Sequence, residues 1–242
     1  MCLILFSIDG PDHVLTVAAN RDEFYSRPTA KAAFWADHPN ILGGRDLSEG
    51  GTWMGINRNG RFAAVTNFRE PAPDPLPPSS RGALTREFLT GSTPPAEYLA
   101  AIDADADQYR GFNLLVGDPG GFYYYSNRAR EVIALDQGTY GLSNQLLDCT
   151  WPKVVDGKAR LAELLREDGG TDALFELIGN DTGTSQPFSA PFISSVEYGT
   201  CASTVLSVRR DGEVYFEERS FGVNGACGET AKFDFVLDAA SD

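Results

Sequence analysis

The chain opens Met1-Cys2-Leu-Ile-Leu-Phe6-Ser-Ile8-Asp-Gly-Pro-Asp12-His-Val-Leu-Thr-Val-Ala-Ala19-Asn20-Arg21-Asp22-Glu23. The β-rich run Cys2–Ile8, the turn chemistry of Asp9-Gly-Pro-Asp12 and the second apolar run Val14–Ala19 predict a hairpin whose first residue is Cys2. Asn20-Arg-Asp-Glu23 follows the second strand directly. Antiparallel pairing therefore carries an amide, a cation and two carboxylates to the end of the hairpin where Cys2 lies. Methionine aminopeptidases accept a small residue at position two, so Cys2 is expected to become the mature terminus, with a thiol and an α-amine on one residue. An α-amine titrates at about 7.7–8.0, and its neutral fraction near pH 7 can take the thiol proton. No histidine is then required, and neither His13 nor His38 sits in a Cys-His signature.

Outward from this segment, Trp53–Asn57 and Arg61–Asn67 read as a second hairpin, with Asn59-Gly60 supplying the positive φ angles of a type I′ turn. Asn67 is thus expected at a strand end. Pro71 to Pro78 holds five prolines in eight residues and reads as a loop or extended rim segment. Leu84 and Phe88, then Tyr98, Leu99 and Ile102, predict two short helices separated by Thr93-Pro-Pro95 and forming one outer layer. Phe112–Val116, Phe122–Tyr125, Val132–Leu135 and Thr139–Leu142 are strand-like. A helix opens near Trp151-Pro152 and carries Val154, Lys158, Leu161 and Leu165, and Asp172–Ile178 is a second. Ser203–Val208 and Glu213–Glu218 close the pattern as a hairpin around Arg210-Asp-Gly212. Strands, helices, strands, helices and strands in this order fit an α+β fold of antiparallel sheets covered by helices, in a single domain over 1–242.

Composition narrows the function. Thirty-four acids against 20 Lys and Arg give a formal charge of −14 and a pI near 4.5. Such a chain repels phosphate backbones, which excludes nucleic acid as a partner. The apolar runs are strand-sized, far below the roughly 20 residues of a membrane helix. The start lacks a basic n-region and an Ala-x-Ala site, so a cytoplasmic location is expected. Cys2, Cys149, Cys201 and Cys227 lie far apart without a CxxC pair, which points to reduced thiols and to no metal and no cofactor. Trp35, Trp53 and Tyr123-Tyr-Tyr125 read as core or rim aromatics, and Arg45 with Asp46 as a structural ion pair.

Met1-Cys2, Asn20-Arg-Asp-Glu23, Gly43-Gly-Arg-Asp46, Gly50-Gly-Thr-Trp53, Thr66-Asn-Phe-Arg69, Ser80-Arg-Gly82, Gly111-Phe-Asn-Leu-Leu115, Gly141-Leu-Ser-Asn144 and Ser203-Thr-Val-Leu206 occur in this order along the chain. Together they resemble the NRDE family, which includes the transport and Golgi organisation protein 2 homologues. That family is in turn similar to cysteine N-terminal-nucleophile (Ntn) hydrolases of the penicillin V acylase and bile-salt hydrolase kind. The resemblance implies a four-layer αββα sandwich with two antiparallel sheets. It implies Cys2 as nucleophile, Asp22 as the carboxylate holding its amine and thiol, and Asn67 and Asn144 as oxyanion donors. Asn20, Arg21, Glu23, Arg45 and Trp53 are then substrate-binding or structural. The chain departs from the hydrolases in having Ala19 where they carry an arginine, and Cys201 where many NRDE proteins have a basic residue.

The function so implied is hydrolysis of a non-peptide amide through a Cys2 thioester. A second implication of the same resemblance is a non-catalytic protein that binds or traffics haem, acyl-CoA or another lipid in Golgi organisation and secretion. A third reading is a purely structural interaction protein in which packing retains Cys2. The sequence has no CxxCH haem-attachment motif.

Overall fold

The computed structural model describes residues 2–71, 75, 77–167, 169–179 and 189–238. In chain order the elements are β1 (Leu3–Ile8), β2 (His13–Phe24), β3 (Thr29–Phe34), β4 (Ile41–Asp46), β5 (Met54–Asn57), β6 (Phe62–Asn67), α1 (Arg81–Thr90), α2 (Pro95–Ala104), β7 (Phe112–Asp118), β8 (Gly121–Ser126), β9 (Glu131–Leu135), β10 (Gly138–Leu142), α3 (Pro152–Arg166), α4 (Thr171–Gly179), β11 (Tyr198–Arg209), β12 (Glu213–Phe221) and β13 (Cys227–Val236). They form two antiparallel sheets with helices packed on them, which is the α+β class expected. The sheets belong to two compact units, one of residues 2–27, 136–143 and 147–236, the other of 28–135, 144–146 and 237–238.

The first unit holds six strands in the order β10-β1-β2-β11-β12-β13. Leu3, Leu5, Ala18 and Val205 share one face, because strand residues two apart point the same way. They meet Val154, Leu161 and Leu164 of α3 and Leu174, Phe175 and Ile178 of α4. α3 begins with Pro152 at its first turn, where the missing N–H costs nothing, and its apolar residues recur at helical spacing.

The second unit holds seven strands in sequential order, β3 to β9. α1 lies on β4 to β7 and α2 on β7 to β9. Leu84, Phe88, Leu99 and Ile102 face Ala63, Val65, Leu114, Val116 and Tyr125. Leu84 and Phe88 are fully buried, each contributing about 1.5–3 kcal/mol relative to exposure.

Three expectations change. Asn20-Arg-Asp-Glu23 does not follow the second strand but continues it, since β2 runs to Phe24. The reason is non-local: β11 pairs with β2 along its length, Ser203 opposite Asn20 and Thr200 opposite Asp22, and so satisfies a backbone that the polar side chains alone suggest is a turn. The β5–β6 connection is not a type I′ turn, because Gly60 is in the left-handed region at φ 79° and Asn59 is not. The Asn57 side chain organises it instead, its Oδ1 accepting from the backbone N–H of Asn59 and of Arg61 at 3.0 Å each. The last hairpin is also longer than the runs read for it, with β11 at Tyr198–Arg209 and β12 at Glu213–Phe221, while the two runs at 132–135 and 139–142 stand as β9, pairing β8, and β10, pairing β1. β3, β4 and β13 have no counterpart in the sequence reading. Of the proline-rich segment, residues 72–74 and 76 lie outside the described residues.

Candidate active site

Cys2 is half-buried immediately before β1, and Leu3 next to it pairs with Asn20 of β2. Its carbonyl accepts two hydrogen bonds, from Ser143 Oγ at 2.6 Å and Lys153 Nζ at 3.4 Å. Its Sγ lies 4.0 Å from the Asp22 carbonyl oxygen. Met1, whose removal is expected, lies outside the described residues.

Asp22 is 5 % exposed, and its Oδ1 accepts from Thr200 Oγ1 at 2.7 Å. Tyr198 donates its hydroxyl to the Asp22 backbone carbonyl at 3.1 Å. Burial pushes the Asp22 carboxyl above its ordinary range, against the pull of the Lys153 charge and the Thr200 hydroxyl. Lys153 is 3 % exposed, and burial pushes its ammonium below its ordinary range while the charges of Asp22, Cys2 and Cys149 pull it back. The register between β2 and β11 shifts between Thr200 and Ala202, leaving Cys201 as the extra residue. Burial raises the Cys201 thiol, and the nearby Arg21 charge lowers it.

The remaining members of the motif divide by role. Asn20 is 2 % exposed and fully engaged, donating Nδ2 to the Ile178 and Pro191 carbonyls at 2.8 Å each and accepting from Ser203 Oγ at 2.6 Å. It ties β2 to the end of α4. Arg21 is buried, and Glu23 is half-buried with its Oε1 accepting from the Phe24 backbone N–H at 2.9 Å.

Arg45 does not pair with Asp46. Consecutive strand residues face opposite ways, and Arg45 instead grips Asp37 through both guanidinium arms and lies 4.4 Å above the centre of the Trp35 ring. Asp46 turns to the Ser48 backbone N–H at 3.0 Å. The Arg45 hydrogen bonds lower the Asp37 carboxyl to about 2. A lowered carboxyl contributes stability that is present above its unfolded value and lost as pH falls through about 2. An NMR titration of Asp37 should therefore report a value near 2, and Arg45→Gln should return it toward the ordinary 3.8. Trp53 covers Gly44 so closely that a Cβ there would lie 1.9 Å from the indole, which explains a glycine at that position. Trp35, Tyr124 and Tyr125 are buried core, as expected for these aromatics.

Asn67 ends β6 and is exposed, while Asn144 is 4 % exposed. The pair is brought together across 77 positions: Asn144 Nδ2 donates to the Asn67 carbonyl at 2.8 Å, and the Arg69 N–H donates to the Asn144 carbonyl at 2.7 Å. One Nδ2 hydrogen of Asn144 remains, and its Oδ1 has no partner among the described residues. Three residues around Cys2 and Asp22 were not legible as such: Lys153, Ser143 and Thr200. Only the Trp151-Pro152 helix start hints at the placement of Lys153. Among the described residues no group of three or more His, Cys, Asp or Glu side chains is placed to hold a metal ion, and all four thiols are free.

The family model described as Transport and Golgi organisation 2 matches residues 1–222. The chain belongs to the Transport and Golgi organisation 2 family. It is 36 % identical to the "Transport and Golgi organization protein 2 homolog" of Bos taurus over 277 aligned residues, which cover 99 % of this chain and 100 % of the bovine one. The Homo sapiens homologue gives the same 36 % identity and the same coverage. Among solved structures, the Caenorhabditis elegans N-acylethanolamine-hydrolyzing acid amidase ortholog is similar at a TM-score of 0.55 and 13 % identity, covering 85 % of this chain and 92 % of that one. This Transport and Golgi organisation 2 family member thus has the fold of an Ntn hydrolase. No helix among its described residues is long and apolar enough to cross a membrane.

Proposed function

We propose that the chain is an N-terminal-cysteine hydrolase of a non-peptide amide. The observation that carries this reading is the construction around Cys2: a half-buried thiol at the start of β1, its carbonyl held by Ser143 and Lys153, with the buried Asp22 carboxylate on the adjoining strand. With Met1 removed, the Cys2 α-amine takes the thiol proton and the sulfur attacks the amide carbonyl carbon. The C–N bond then breaks, and the leaving amine departs with that proton. Water, deprotonated by the same α-amine, cleaves the thioester to release the acid and restore the thiol. Asp22 orients the nucleophile, and Asn67 and Asn144 are the amide donors for the oxyanion by resemblance. Asn20 is structural in this scheme, as are Glu23, Arg45 and Trp53. The substrate class taken here is an N-acyl amide, the class named for the nematode amidase of the same fold.

The names of the relatives refer to transport and Golgi organisation, which favours the second reading, a non-catalytic protein that binds or traffics haem, acyl-CoA or another lipid. Release of the amine from a panel of fluorogenic N-acyl amides separates the two. The hydrolase reading expects turnover that Cys2→Ala abolishes. Saturable binding of the same compounds without amine release, unchanged in Cys2→Ala, would leave the carrier.

A further inference from the structure

Lys153 takes no part in the proton transfers of the scheme above, yet it is among the most deeply buried charged side chains described, at 3 % exposure. It sits in the first turn of α3, the element that packs against β1 and β10. An ammonium has three N–H donors. Among the described residues its one hydrogen bond goes to the Cys2 carbonyl, at a long 3.4 Å. A buried cation so sparsely bonded is costly unless a compensating charge stands close. The titratable groups that act on it are Asp22 of β2, Cys2 itself and Cys149, just before α3. Arg21 and Glu23 act on Cys201, as Asp22 also does. The buried Lys153 charge is therefore shared between one carboxylate and two thiols, of which Cys2 is the one it touches through the main chain.

We infer that Lys153 is a positioning residue for the nucleophile, holding the Cys2 main chain in place and supplying the buried positive charge that stabilises the Cys2 thiolate as it forms. The inference rests on the reading of Cys2 as the reactive residue. Two features of the geometry support it. The carbonyl of Cys2 is clamped from two elements, by the Ser143 hydroxyl after β10 and by Lys153 from α3, so the residue that must present both an amine and a sulfur is fixed by its third polar group. The spare N–H donors of Lys153 also call for a further acceptor, and a thiolate supplies one.

The test measures thiol reactivity without turnover, which separates this inference from the hydrolase assignment. Full-length protein, shown by intact mass to begin at Cys2, is alkylated with iodoacetamide across pH 6 to 9 on the order of minutes to hours, and labelling of each cysteine is read by peptide mapping. Lys153→Met should slow Cys2 labelling at pH 7 about tenfold and alter its pH profile. Lys153→Arg should recover most of the rate, while the exposed Cys227 should label alike in all variants. A folded Lys153→Met protein whose Cys2 keeps the parent rate and pH profile would overturn the inference. If Lys153→Met does not fold, Asp22→Asn with Lys153→Met removes both buried charges together. Cys2 in that double variant should be slower than in Asp22→Asn alone, and equal rates in the two would likewise overturn it. Absence of any acyl-enzyme in the parent protein would sink the hydrolase reading and leave these rates to be judged on their own.

Discussion

Asn144→Ala should lower turnover of an N-acyl amide by about 10²–10³, the loss that follows removal of one oxyanion donor. The side chain is 4 % exposed and donates one Nδ2 hydrogen to the Asn67 carbonyl at 2.8 Å, and an amide has a second to give. Substitution also removes the Asn67 hydrogen bond, which costs about 0.5–1.5 kcal/mol and is small beside the stability of a domain. Folding should therefore survive, and KM should move much less than kcat, because the donor acts on charge present only in the transition state. A variant equally depressed in ligand affinity and in turnover would assign Asn144 to binding.

Asp22→Asn should slow Cys2 alkylation at pH 7 by about tenfold while Glu23→Gln leaves it within about twofold. The two acids are adjacent in sequence but differ in surroundings. Asp22 is 5 % exposed, and its Oδ1 accepts from Thr200 at 2.7 Å. Glu23 is half-buried and caps the Phe24 N–H. Asparagine preserves the shape and keeps an oxygen for Thr200, so the change removes the charge and little else. What is lost is the buried carboxylate, on the strand adjoining Cys2, that is proposed to orient its amine and thiol. Equal alkylation rates in both variants and the parent would make the acidic pair a structural feature of β2.

Much of this was legible in the linear pattern where the causes are local. The apolar run of β1, the Asn59-Gly60 pair between β5 and β6, the proline that opens α3 and the spacing of Leu84 and Phe88 are short-range signals, and the elements appear where those signals stand. The strands β3 and β13 were not legible. β3 is only partly buried, and β13 is an edge strand with seven of its ten residues exposed, so neither carries a strong apolar period. The extent of β2 was hidden for another reason, since its polar second half is held as strand by β11, some 180 positions away.

The site divides the same way. Cys2 and Asp22 lie within one hairpin and could be paired by reading. Lys153 reaches Cys2 across 151 positions and Ser143 across 141, and only the helix start at Trp151-Pro152 hints at the first. Resemblance to the hydrolases led to the notice of an arginine missing at Ala19. A cation that acts on Asp22 comes from α3, a contribution visible only once the helix is packed against β1.

The most direct test of the central claim is the intact mass of the mature chain, acid-quenched during reaction with a slowly hydrolysed N-acyl amide and then mapped by peptide. The account predicts a chain without Met1 that carries one acyl group, lost on hydroxylamine treatment and located on Cys2. A chain that retains Met1, or one that turns the amide over with its acyl group on another residue, would contradict it.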